Sequence, residues 1–108
     1  RLRRQELQSA RTAAAWIRAH GTAPRAMSGP LAQAAYLSGA RSVYGGVTAE
    51  TLREQIRARE VDLFAYTEKD VERRPDYVAL LRGCDLLEPP VEIQGPPGTV
   101  KVYLQRVR

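Results

Sequence analysis

The chain holds one cysteine and one histidine in 108 residues, and each scarcity removes a class of chemistry. A lone Cys84 cannot close an intramolecular disulfide. It follows Gly83 at the expected end of a helix and reads as a small buried filler rather than a nucleophile. With His20 as the only histidine, a zinc site lacks converging ligands. A Ser-His-Asp triad would also have to use His20, which reads as a polar helix end. No GxGxxG follows the first expected strand and no P-loop occurs, so the nucleotide readings lose their main support. Gly45-Gly46 is too little to cradle a phosphate and reads as a turn. No apolar run approaches the ~18 residues of a membrane span, and no segment has the pattern of a signal peptide. No cofactor and no metal are expected.

What is present is an ordinary globular balance, 44% hydrophobic and 27% charged, at the length of a single domain. The charge is arginine-rich and sits partly at the ends. Without Arg1, Arg3, Arg4, Arg106 and Arg108, twelve bases face twelve acids. A nucleic-acid binder carries a basic stripe on its body, so nucleic acid is not an expected partner. Arg1, Arg3 and Arg4 suit either anionic lipid headgroups or a solvated helix start.

Periodicity orders the chain. Leu7, Ala10, Ala14 and Ile17 recur at helical spacing over Gln5 to His20, and Gly21 stops the helix. Arg25–Ser28 reads as a short strand, Leu31–Leu37 as a short helix and Arg41–Tyr44 as a second strand. Thr48 is a credible cap for a helix with Leu52 and Ile56 inward. Val61–Tyr66 is nearly continuous in apolar residues, the pattern of a strand covered on both faces and so of the sheet centre. Pro75 suits the first turn of a helix that presents Tyr77, Leu80 and Leu81 and ends at Gly83. Val91–Gln94 and Thr99–Val107 flank Gly95-Pro96-Pro97-Gly98 and alternate apolar with polar, as in a hairpin. Helices between strands imply parallel pairing. The expectation is a single α/β domain over residues 1–108: a small layered sheet of parallel strands flanked by helices, with a C-terminal antiparallel β-hairpin at the edge.

Ligands of open α/β sheets gather beyond the carboxyl ends of strands. There Glu68, Lys69 and Asp70 leave the expected central strand, and Ser28 leaves its neighbour. A carboxylate pair in that place suits a cation or a sugar hydroxyl. The competing reading is a solvated loop with helix-capping acids. Tyr36, Tyr44, Tyr66, Tyr77 and Tyr103 are either a sugar-stacking surface or packing residues.

The segment RTAAAWIRAHGTAPRAMSGPLAQAAYLSGARSVYGG joins a helix with Ala-Ala-x-Trp-Ile to a Gly-x-x-Pro turn, a short strand and a helix ending in Tyr-x-Ser-Gly. LREQIRAREVDLFAYTEKDVERRPDYVALL adds a Val-Asp-hydrophobic strand, an acidic exit and an Arg-Pro helix, and VEIQGPPGTVKVYLQRV a closing hairpin. From about Ala10 to Val107 this resembles the C-terminal soluble domain of bacterial polytopic membrane glycosyltransferases. These are relatives of dolichyl-phosphate-mannose–protein mannosyltransferases and of the aminoarabinose transferases that act on lipid A. The resemblance implies a parent that spans the membrane and uses a polyprenyl-phosphate-linked sugar, with its catalytic acids in an early extracytoplasmic loop absent here. It implies that this chain is a non-catalytic extracytoplasmic accessory domain. Its partners would be the transmembrane part of the parent, lipid headgroups or the lipid-linked sugar, with Arg1, Arg3 and Arg4 nearest the membrane. A stand-alone α/β interaction or regulatory module is the alternative, and a small enzyme or ligand-binding domain built on Ser28, Glu68, Lys69 and Asp70 a third.

Overall fold

The computed structural model describes residues 4–21, 24–31, 33–43 and 48–108. The elements run α1 (Arg4–Ala19), β1 (Ala26–Ser28), α2 (Gln33–Leu37), β2 (Arg41–Ser42), α3 (Ala49–Arg57), β3 (Leu63–Thr67), α4 (Glu68–Arg73), α5 (Pro75–Arg82), β4 (Val91–Ile93) and β5 (Val102–Arg106). The strands form one sheet in the order β2-β1-β3-β5-β4. β1 pairs parallel with both β2 and β3, whereas β5 pairs antiparallel with β3 and β4 with β5. The expected α/β architecture is therefore the one observed.

Each face of the sheet carries its own helices. α1 and α2 cover one side, where Ala10, Ala13, Ile17, Ala34 and Ala35 pack on Met27, Leu63, Ala65, Val102 and Leu104. The small side chains at 10, 13, 34 and 35 let the two helices approach each other closely, so that the larger Ile17 reaches the core. α3 and α5 cover the other side, where Leu52, Ile56, Val78 and Leu81 pack on Phe64 and Tyr66. β3 is the centre: all five of its residues are buried, and successive side chains point to opposite clusters as the period of two requires. Fully burying a side chain such as Phe64 or Ile17 contributes roughly 1.5–3 kcal/mol.

Local signals place the helices. Thr48 caps α3 reciprocally: the Thr51 N–H donates to Thr48 Oγ1 at 3.2 Å, and the Thr48 N–H donates to Thr51 Oγ1 at 3.1 Å. This is a capping box with Thr in the place that Glu or Gln usually takes. Pro75 opens α5, and Gly83 is its C-cap. Cys84 is free and buried among apolar neighbours.

The structure corrects several of these expectations. The acidic exit from the central strand is not a loop, because α4 starts at Glu68 directly after Thr67. The hairpin's strands are shorter than their alternation suggests, leaving residues 94–101 as the connection. β5 is not solvated on its polar face. Tyr103 and Val107 pack against the second cluster, and Gln105 is 1% exposed. That burial follows from β5 lying inside the sheet, beside β3, while β4 takes the edge. Val91 is 40% exposed on that edge strand. β2 ends at Ser42, and Tyr44 lies outside the described residues.

Candidate functional site

β1 and β3 run parallel with Ser28 opposite Phe64, so Ser28 and Thr67 mark the same, carboxyl, end of the sheet. The chain leaves β1 through Gly29 and crosses β3. Leu31 N–H donates to the Ala65 carbonyl at 3.3 Å. The crossing is so close that a Cβ at Gly29 would run into that carbonyl, and Gly29 has φ +118°. Only glycine meets both conditions.

This crossing seals Ser28, which is buried, and its Oγ has no hydrogen-bond partner. Tyr77, half-buried on α5, feels the Ser28 hydroxyl without closing a hydrogen bond to it. Burial pushes the Tyr77 pKa up; the Ser28 hydroxyl and the Arg74 charge oppose the rise, and the Asp70 charge adds to it. Tyr77 thus feels both the Ser28 hydroxyl and the Asp70 charge. Its helical spacing with Leu80 and Leu81 marks it as a packing residue, and nothing in the sequence marks it as polar machinery.

The charged candidates are tied to the fold. Asp70 Oδ2 accepts from the Thr67 backbone N–H at 2.8 Å and from the Thr67 hydroxyl at 3.2 Å, which closes the first turn of α4. Glu68 Oε1 accepts from the Lys101 N–H at 3.3 Å, and the Glu68 N–H donates to the Lys101 carbonyl at 2.9 Å. These contacts stitch α4 to the segment entering β5. Lys69 lies half-buried on α4. The carboxyl end therefore employs Glu68 and Asp70 as caps and staples. Arg4 is exposed at the first position of α1; Arg1 and Arg3 lie outside the described residues. Among the described residues, no three His, Cys, Asp or Glu side chains group to hold a metal ion.

The chain matches no family model, no curated protein and no solved structure.

The tyrosines do not share one surface. Tyr36 is 80% exposed on α2, whereas Tyr66, Tyr77 and Tyr103 belong to the cluster on the opposite face. Tyr66 and Tyr103 stack at 5.4 Å, with the Arg82 guanidinium 4.9 Å from the Tyr103 ring centroid and 5.7 Å from that of Tyr66. The buried Tyr66 hydroxyl donates to Gln105 Oε1 at 2.7 Å and accepts from Arg82 Nε at 3.2 Å. Gln105 Nε2 in turn donates to the carbonyls of Leu81 and Glu88, both at 3.1 Å. This polar network fastens the end of α5 to the sheet, and satisfied networks of this kind fix one packing arrangement. Sequence patterning missed it, because Gln105 and Arg82 stand where solvent-facing residues are expected.

Proposed function

We propose that this chain is a non-catalytic extracytoplasmic accessory domain of a membrane glycosyltransferase that uses a polyprenyl-phosphate-linked sugar. The observation that carries the reading is the element order. Helix, strand, short helix, strand, helix, strand, helices and closing hairpin follow one another as the resemblance to those C-terminal domains implies. The carboxyl end of the sheet supports the non-catalytic part of the reading, since Glu68 and Asp70 are engaged with backbone and hydroxyl donors. Among the described residues no helix is long and apolar enough to cross a membrane, so anchoring falls to other spans of the parent. The domain's work is then docking: on the transmembrane part of the parent, and on headgroups through Arg1, Arg3 and Arg4, whose guanidiniums pair with phosphate.

The test is titration of the domain against vesicles with and without polyprenyl phosphate. The native chain is compared with an Arg1→Ala, Arg3→Ala, Arg4→Ala triple variant at low and moderate salt. Binding that needs those arginines and weakens with salt is the expected result. Absence of binding at any salt removes the headgroup role and favours a stand-alone interaction or regulatory module.

A further inference from the structure

The amino ends of the parallel strands carry two adjoining hollows that the roles described above do not use. One, of about 530 Å³, is lined by Arg25, Ala26, Arg41, Arg59 and Asp62. The other, of about 450 Å³, shares Arg25, Arg59 and Asp62 with it and adds the charged side chains of Arg57, Asp85 and Arg108. Both volumes are in the range of small-molecule sites.

Five arginines here face two carboxylates, and both carboxylates have other work. Asp62 accepts from the backbone N–H groups of Arg25 and Ala26 at 2.9 and 3.2 Å, which pins the start of β1. Asp85 pairs with Arg53, outside the hollows, at 2.7 Å. Among the described residues no ion pair holds Arg25, Arg41, Arg57 or Arg59. The lining thus carries more positive than negative charge, a surplus that a bound anion balances.

Arg59 adds an independent observation. It has φ +60°, the one non-glycine residue with positive φ among those described. It stands just past the end of α3, where the Arg59 N–H donates to the Ile56 carbonyl at 3.0 Å and the Glu60 N–H to the Gln55 carbonyl at 3.1 Å. This pair of bonds is the Schellman helix ending, whose left-handed position belongs to glycine. Arginine is strained there, and it lines both hollows. Such strain is characteristic of residues held for function.

We propose that these hollows form a binding site for a phosphate-bearing anion, a phosphomonoester or diphosphate, held by Arg25, Arg41 and Arg59 with Arg57 and Arg108 alongside. Guanidinium forks match pairs of phosphate oxygens better than point charges do. The site is independent of the glycosyltransferase reading and of Arg1, Arg3 and Arg4.

The experiment is titration with inorganic pyrophosphate, followed by backbone amide NMR and calorimetry, on the native chain and on Arg59→Gly, Arg25→Ala and Arg11→Ala. Arg59→Gly suits the left-handed backbone, so its Tm is expected at or above the native value. Its pyrophosphate affinity falls at least tenfold, as does that of Arg25→Ala. Arg11 is exposed on α1 and lines neither hollow, so Arg11→Ala leaves affinity unchanged. The shifted amides centre on residues 25, 41, 59 and 62. Failure to saturate, an unaffected Arg59→Gly, or an equal loss in Arg11→Ala overturns the proposal, the last by showing diffuse attraction. Vesicles of phosphatidic acid in phosphatidylcholine distinguish the source. Capture abolished by Arg59→Gly assigns the phosphate to a lipid headgroup, and pyrophosphate binding without capture assigns it to a soluble compound.

Discussion

The two ends of the parallel strands are made of opposite materials. At the carboxyl end, the acids and hydroxyls are mostly consumed by the fold: Asp70 closes α4, Glu68 staples it to Lys101, and Ser28 is sealed under the Gly29 crossing. At the amino end, exposed arginines stand around an Asp62 already committed to backbone amides. The usual rule places ligands beyond carboxyl ends. Here the unspent charge is at the other end. A residue's type and position on a strand are thus a weaker guide to a site than whether the fold has already satisfied it.

The sharpest way to break the comparison is at Gly29. Gly29→Ala puts a Cβ into the Ala65 carbonyl at a φ that alanine resists, and a loss of about 3 kcal/mol is expected in urea unfolding. A small loss would mean that the carboxyl end is loosely closed. Asp62 is the counterpart at the amino end. Asp62→Ala leaves the Arg25 and Ala26 N–H groups without their acceptor, and about 1–2 kcal/mol should disappear. If the midpoint does not move, Asp62 does not organise the arginine hollows.

A smaller effect appears in alkali. Burial raises the pKa values of Tyr66 and Tyr77 above their ordinary 10.0. The neutral hydroxyl is the form the fold favours, so this contribution is complete below about pH 10 and is lost as pH rises through the raised values. Melting temperatures should fall as pH rises above about 10, and fall less steeply in Tyr77→Phe. An unchanged slope in that variant would place the titration wholly at Tyr66 or elsewhere. The smallest effect belongs to Ser28→Ala. The Ser28 Oγ has no partner, so its removal should leave stability within about 0.5 kcal/mol of native or raise it. A loss beyond ~1 kcal/mol would reveal a hydrogen bond there and reopen the carboxyl end as a binding site.

Much of the fold was legible because its signals are local. Thr48, Pro75 and Gly83 act within a turn of where they stand, and the unbroken apolar run of β3 declares a strand covered on both faces. Gln105 was not legible. A glutamine in an alternating strand reads as solvated, and only the placement of β5 beside β3 buries it against Leu81 and Glu88. The candidate site was legible in part. Ser28 and Asp70 both stand at the carboxyl end of the sheet, but Tyr77, which feels both, belongs to a later helix and carries the spacing of a core residue.

By itself, then, the sequence determined the alternation of helices and strands, the central strand and the α/β class, since periodicity, caps and turn residues work over a few neighbours. Its charge also balances along the body when counted as a string. The tertiary structure alone decided that Arg25, Arg41, Arg57, Arg59 and Arg108 gather at one end, where the lining acids Asp62 and Asp85 bond to backbone amides and to Arg53. Those residues come from five separate positions along the chain. Their meeting depends on strand order and register, which long-range packing sets and no local pattern encodes.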